Sequence, residues 1–352
     1  MKVLSKDHKN LNSYLKAINE WINLEITKNI PDGNPKDFLY NLIKEYPLRG
    51  GKKFRPALVF LCCELFGGDP EEAIITALAI EFFHNFALIH DDIEDRSEVR
   101  RGQPTLHKKH GTALAINAGD ALFGLVYETL LKNFQILNKN TSIKIHRLMN
   151  KVIRHTFEGQ AMDIGWIEKR FFPNKNEYKK MIVKKTGFYS GSGPCQFGAI
   201  IGKASLQEIN TIGIFGETIG IGFQIRDDLL NLTEKNELNA PTPGSGGYGK
   251  EWCGDIVEGK RTLITIELLD RLSKRDSNYL RKILLKSRSK VSSENIDWVI
   301  NQAHKTGAIE EVSKQCITNA RIASKLLEKL PVNPAKMLLE QITNYLTLER
   351  KA

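Results

Sequence analysis

The sequence predicts an all-α protein built as one large helical bundle. Apolar residues recur at i, i+3, i+4 and i+7 along most of the 352 residues, the period of helices with one buried face. No stretch alternates apolar and polar residues as a half-buried strand would, and no βαβ spacing occurs. A chain this long buries roughly 75% of its unfolded surface on folding, so a large core is available. No fixed-period repeat or linker divides it, and residues 1–352 read as a single domain.

Leu11, Tyr14, Leu15, Ile18, Trp21 and Ile22 share one face of an amphipathic first helix, which with a linker to residue 34 forms an N-terminal unit. Asn34 followed by Pro35 predicts an N-cap and first helical position ahead of Phe38, Leu39, Leu42 and Ile43. Pro56 predicts the opening of a strongly apolar helix that stops at Gly67-Gly68. Asp69-Pro70-Glu71-Glu72 starts the next, with acidic side chains where the helix dipole favours them. It runs through Ala79, Phe82, Phe83 and Phe86 to Asp91 and beyond. Further helical patterns cover 111–138, 142–168, 177–201, 206–233, 261–287, 294–305, 308–330 and 334–349. Ile212-Gly213-Ile214-Phe215-Gly216 continues at helical spacing into Ile219 and Phe223, so it reads as buried helix rather than strand. The Pro- and Gly-rich segment 234–249 reads as a mobile exposed loop.

Fifty-one Lys and Arg against 41 Asp and Glu give a formal net charge of +10. That balance admits nucleic acid, a membrane surface or a phosphorylated substrate as partner. No nucleic-acid-binding motif accompanies it, which sets nucleic acid aside. The N-terminal residues lack the apolar core of a secretory signal and the Arg-rich composition of a transit peptide. No run reaches the ~20 consecutive apolar residues of a membrane span. Cysteines at 62, 63, 195, 253 and 316 are odd in number and form no CxxC pair, which argues against a disulfide framework or structural zinc. The expectation is a soluble cytoplasmic protein.

The chemistry concentrates at two acidic helix ends. Ile89-His90-Asp91-Asp92-Ile93-Glu94-Asp95-Arg96 places Asp91 and Asp95 one turn apart, with Asp92 beside them. Like charges at i, i+4 cost an isolated helix ~0.2–0.5 kcal/mol per pair, so cations are needed to compensate. Carboxylate oxygens suit Mg²⁺, which bridges one or two carboxylates to substrate phosphates. Phe223-Gln224-Ile225-Arg226-Asp227-Asp228 repeats the arrangement after a second apolar, Gly-rich helix. Two such pairs suggest facing metal sites around one cavity. Gly50-Gly51-Lys52-Lys53-Phe54-Arg55-Pro56 offers backbone donors and cations for phosphate, and Arg100-Arg101, Lys185-Thr186, Lys250 and Lys260 add further positive charge. Together they describe a site for two polyanions, one held through metal and one directly. His84 precedes Asp91 by seven residues, nearly two turns, and so shares its face. His107 and His110 sit in a Lys-rich setting and read as exposed loop.

With these motifs in this order, residues 40 to 350 resemble the trans-isoprenyl diphosphate synthases, or polyprenyl synthetases. The resemblance rests on Gly-Gly-Lys at 50–52 with Arg55, Asp-Asp-x-x-Asp at 91–95, Arg-Arg-Gly at 100–102, Lys-Thr at 185–186, Gln-x-x-Asp-Asp at 224–228 and Gly-Lys at 249–250 and 259–260. It implies a homodimer of isoprenoid-synthase-type bundles, each around a deep central cavity. There isopentenyl diphosphate is added head-to-tail to dimethylallyl, geranyl or farnesyl diphosphate with Mg²⁺ as cofactor. Carried over by position, Asp91, Asp95 and Asp227 would ligate metal, supported by Asp92 and Asp228. Lys52, Arg55, His84 and Arg101 resemble the isopentenyl diphosphate site. Arg100, Lys185, Thr186, Gln224, Lys250 and Lys260 resemble the allylic site, with Lys185 also among the catalytic groups. Asn231 stands where many members carry a third Asp, which implies a different metal balance with activity retained.

Phe86 lies five residues before Asp91, ~7.5 Å along a helix, and Ala87 beside it is small. That pair resembles the archaeal-type geranylgeranyl diphosphate synthases and implies a C20 product. The alternatives are a C15 (farnesyl) or C25 synthase, a class I terpene cyclase, or a non-catalytic synthase subunit. Seven site cations against five site aspartates account for only +2 of the net charge. The remainder admits substrate steering, or peripheral contact with a membrane that receives a lipid product.

Overall fold

The structure, a computed structural model, describes residues 2–233 and 252–349. The chain opens with α1 (Leu11–Asn29), which Asn10 caps by accepting from the Ser13 amide. Next come α2 (Asn41–Leu48), α3 (Phe54–Leu65) and the 25-residue α4 (Pro70–Glu94). A two-residue hairpin pairs β1 (Val99–Arg100) with β2 (Gln103–Pro104). After it run α5 (Leu106–His110), α6 (Thr112–Leu131), α7 (Asn133–Ile136) and the long α8 (Lys139–Glu168). A capping box between Asn174 and Glu177 starts α9 (Lys175–Ile182), which passes through a π-helical stretch, Val183–Ser192, into α10 (Gly193–Ile201). The second motif helix is α11 (Leu206–Thr233). The chain then continues through α12 (Gly254–Val257), α13 (Leu263–Arg271), α14 (Lys274–Leu284), α15 (Ser293–Lys305), α16 (Ala308–Leu327) and α17 (Pro334–Asn344).

The all-α expectation holds, and the structure corrects several details. Asn34 is not the N-cap: a π-helical turn begins only at Lys36, with the extended Pro35 before it and no side-chain cap. The helix expected from Pro56 begins two residues earlier, at Phe54, because Lys53 adopts a left-handed conformation that turns the chain into it. The pattern over 261–287 is two helices, since Leu272 is extended and Ser273 caps a new start at the Asp276 amide. His107 and His110 lie half-buried on α5 rather than in an exposed loop. The segment 234–249 and Lys250 lie outside the described residues.

α4 and α11 are the two helices the rest is packed around. α4 lies between α3 and α6, and α11 lies against the π-helical stretch and α16. A Cβ built on Gly191 would fall 1.8 Å from the Gly216 carbonyl oxygen. These glycines therefore permit backbone-to-backbone contact, which explains the Gly-rich run in α11. Pro70–Glu94 and Thr112–Ile136 are long and apolar enough to span a membrane by length and composition. The first is a core helix, with Ala77, Phe82 and Phe83 wholly buried. The second packs on α4 with one face and leaves Ile116, Tyr127 and Leu131 exposed.

Candidate active site

The C-terminal ends of α4 and α11 converge with α8, the π-helical stretch and the segment after α12. Together they form a cleft lined by Asp91, Asp163, Lys185, Asp228, Asp255 and Lys260, among others. Both acidic motifs thus contribute to one cleft, as expected. Within the first motif the three aspartates divide. Asp92 is 1% exposed and accepts from the Tyr46 hydroxyl and from Arg100 Nε at 2.7 Å. It is anchored inside the bundle, away from the cleft. Asp91 and Asp95 face cations: Lys185 Nζ stands 3.8 Å from Asp91, and Lys260 Nζ stands 2.5 Å from Asp95. Burial, opposed by Lys260 and aided by Asp91, pushes the Asp95 carboxyl up to about 6.

On the opposite wall Asp228 accepts from Tyr178 Oη at 2.9 Å and from Gln224 Nε2 at 2.8 Å. Thr186 Oγ1 completes the chain by donating to Gln224 Oε1 at 3.1 Å. Asp227 is buried beside Asp228 on the same helix end. Asn231 accepts from the Asp255 amide through Oδ1 and from the Cys253 amide through its carbonyl. It therefore clamps the returning chain and sets Asp255 at the cleft.

Lys185 owes its placement to two local features. It lies in π-helical backbone, a geometry that recurs at functional sites, and it crosses α8 at Gly159. A Cβ there would come within 2.3 Å of the Lys185 amide nitrogen. Asp163, one turn further along α8, takes Lys185 Nζ at 2.5 Å. Burial works against both lysine charges, yet Asp163 and Asp91 hold Lys185, and Asp95 and Glu258 hold Lys260, above the ordinary lysine value.

A second group of cations gathers near His84, which stands about two turns before Asp91 on α4. Arg55 sits between the Tyr189 and Phe54 rings, 4.4 and 4.5 Å from their centroids. It donates to Ser190 Oγ at 2.7 Å. Lys52 donates to the Tyr345 hydroxyl. Arg101 lies across Gly51, and among the described residues its Nη1 is buried without a hydrogen-bond partner. His84 Nδ1 is 2.5 Å from Tyr189 Oη. Burial, reinforced by Arg55 and Arg101, holds its imidazole well below the usual histidine value, so it is neutral.

Below His84 the helix enters an aromatic cluster. Phe86 packs 4.9 Å from Phe123, 5.7 Å from Phe83 and 5.9 Å from Phe157 between ring centroids. Ala87, beside it, is small and packs partly buried against the same core. Asp163, Tyr178, Asp255, Tyr46, Tyr189 and Gln160, which donates Nε2 to Asp91 at 3.3 Å and to Glu94 at 2.5 Å, were not expected from the sequence. Thr156, Gly159 and Asp163 do carry a signal, being small or polar residues on the buried face of an amphipathic helix.

The donors in the cleft are carboxylate, amide and hydroxyl oxygens, a hard-ligand set that fits Mg²⁺ rather than zinc or copper. Among the described residues no three acidic, His or Cys side chains form a ready cage.

An all-α bundle with two aspartate-rich helix ends facing a cation-lined cleft defines a class of diphosphate-handling synthases. The chain belongs to the polyprenyl synthetase family, whose model matches residues 36–302. It is 34% identical to the short chain isoprenyl diphosphate synthase of Methanothermobacter thermautotrophicus, over 96% of this chain and 98% of that one. It is 32% identical to the geranylgeranyl pyrophosphate synthase of Geoglobus acetivorans, over 94% and 95%. The fold superposes on the crystal structure of geranylgeranyl pyrophosphate synthetase from Pyrococcus horikoshii with a TM-score of 0.86. The sequences there are 32% identical, over 97% and 98% of the two chains.

Proposed function

We propose that this protein is a short-chain trans-prenyltransferase that condenses isopentenyl diphosphate with allylic diphosphates and releases geranylgeranyl diphosphate (C20). One observation carries the reading: two facing aspartate-rich helix ends share a cleft with Lys185 and Lys260, two turns from a separate cation group at Lys52, Arg55 and Arg101. One diphosphate calls for a site with metal ligands and a second for a site without them. Mg²⁺, when bound, would neutralise the departing pyrophosphate between Asp91, Asp95 and Asp227.

The chain's own groups do the rest. Lys185 and Lys260 balance the charge that builds on the leaving group as the allylic C–O bond breaks. Thr186 and Gln224 orient the allylic diphosphate against Asp228. The Arg101 guanidinium, whose Nη1 is buried without a partner, and Arg55 hold isopentenyl diphosphate with its double bond toward the allylic carbon. Neutral His84 donates a hydrogen bond there without adding charge. Phe54, Tyr189 and the aromatic cluster keep water from the allylic cation. The isopentenyl double bond attacks the allylic cation, and the carbon beside the tertiary cation so formed loses a proton to released pyrophosphate, which restores a double bond.

The aromatic floor at Phe86 and the geranylgeranyl names among the relatives support the C20 product over C15 or C25. The paired Asp227 and Asp228, with Lys52, Arg55 and Arg101, disfavour a terpene cyclase. Both acidic motifs are present, which disfavours a non-catalytic subunit. The exposed apolar face of α6 supports a homodimer through that helix, with each chain acting as one synthase domain. Five buried free thiols support a cytoplasmic setting, and the net charge of +10 supports transient contact with an anionic membrane during product release. Pyrophosphate release from isopentenyl and allylic diphosphates together, and from neither alone, tests the prenyltransferase reading. Release from the allylic substrate alone would indicate a cyclase.

A further inference from the structure

Beneath the loop that presents Lys52 and Arg55 lies a buried ion pair with no part in the steps above. Lys53 is 4% exposed and Glu81 is 1% exposed. Lys53 Nζ lies 2.8 Å from Glu81 Oε1 and 2.7 Å from the Pro47 carbonyl oxygen. Asn85, one turn further along α4, donates Nδ2 to the same Oε1 at 2.9 Å. Pairing satisfies two charges that would each be costly alone, although ion pairs of this kind add little net stability.

The loop above the pair is conformationally demanding. Gly50, Gly51 and Lys53 have φ of +101°, +105° and +48°. For a non-glycine residue the left-handed conformation costs roughly 1–2 kcal/mol, and it persists only where the surroundings over-determine it. Here the inward-turned Lys53 side chain supplies that constraint. With Lys53 held inside, Lys52 reaches Tyr345 and Arg55 reaches Ser190. Asn19 Nδ2 fixes the Gly51 carbonyl at 2.6 Å, and Arg101 closes over Gly51, where a Cβ would stand 2.9 Å from Nη2.

We propose that Glu81 is a positioning residue of the isopentenyl diphosphate subsite. Through Lys53 it locks the left-handed turn that sets Lys52, Arg55 and Arg101 at fixed separations before the diphosphate arrives. This rests on the prenyltransferase reading above. Glu81 touches neither substrate; it acts through the loop, and by lying on α4 it ties that loop to the helix that carries Asp91.

Steady-state kinetics of Glu81→Gln, with each substrate varied in turn, test it. Glutamine keeps the shape but leaves the Lys53 ammonium buried without its counter-charge. The KM for isopentenyl diphosphate rises about tenfold or more, while the KM for farnesyl diphosphate stays within about twofold. Lys53→Met gives a similar rise, and the double variant is no worse than the poorer single, because both act through one contact. If Glu81→Gln does not fold, the double variant, which buries no unpaired charge, carries the same expectation. A folded variant whose isopentenyl KM is unmoved, or whose two KM values rise together, overturns the assignment of Glu81. An inactive wild type in the same assay overturns the prenyltransferase reading instead.

Discussion

Phe86→Ala examines the link between the helical geometry of α4 and product length. The ring is 7% exposed and forms the top of a cluster with Phe83, Phe123 and Phe157. Removing it opens the floor below Ala87 down to Phe83, the next ring on the same face. Three residues at 1.5 Å each make that gain ~4.5 Å, of the order of one five-carbon unit. Phe123 and Phe157 remain in place on the neighbouring helices, so the opening is bounded. The variant therefore makes mainly C25 product from farnesyl diphosphate, where the parent stops at C20. Truncating a buried Phe costs about 3–5 kcal/mol, with the lower end expected for a ring beside a cavity. Labelled isopentenyl diphosphate, dephosphorylation and reversed-phase separation give the product distribution, and melting curves give the stability. An unchanged C20 product from a folded variant refutes the role of Phe86. Products well beyond C25 refute the idea that the three remaining rings close the floor.

Three further outcomes follow from particular contacts. Asp92→Asn breaks a buried pair with Arg100 and costs about 3–5 kcal/mol; Asp91→Asn, at the cleft, costs less stability but more activity. Melting temperature and kcat measured on both variants check that division, and equal effects would contradict it. Asn231→Asp keeps the acceptor for the Asp255 amide but adds a carboxylate beside Asp228. Its metal-free melting temperature falls and recovers on adding Mg²⁺ with pyrophosphate, followed by thermal unfolding in both states. His84→Gln reports on the pH dependence of stability. Burial keeps the folded imidazole neutral, whereas the unfolded chain takes up that proton near pH 6.5. The unfolded state thus binds more protons, and stability falls as pH drops below ~6.5, by up to ~1.4 kcal/mol per pH unit. Glutamine removes that component, so urea unfolding at pH 7.5 and 5.5 shows a smaller acid loss in the variant. An equal loss in both proteins would remove His84 from this account.

The fold was legible because helical periodicity is a local property. The amphipathic face of α1 and the Asp69-Pro70 start of α4 are written in consecutive residues. Boundaries failed where tertiary context decides them. The apolar pattern runs unbroken through Leu272, so the break between α13 and α14 shows only once Ser273 caps a new start. Pro56 looked like a first residue, but the strained Lys53 turn, held from below by Glu81, begins α3 earlier.

In the site, the Asp-rich motifs and their cations were legible by type and spacing. The division of labour within them was not. Asp92 points into the bundle because Tyr46 and Arg100 hold it there, and the Tyr46 contact comes from a helix well before the motif. Asp163 and Asp255 reach the cleft from α8 and α12, outside both motifs. Their partners, Lys185 and Asn231, were identified as site positions without the contacts that explain them.

Two diphosphates meet at this cleft and are joined in the proposed reaction. Its most direct test is incubation of the purified protein with Mg²⁺, labelled isopentenyl diphosphate and farnesyl diphosphate, with the chain length of the labelled product measured. Label is expected in a C20 diphosphate, with one pyrophosphate released per unit added. Absence of incorporation, or release of pyrophosphate without a longer chain, would contradict it.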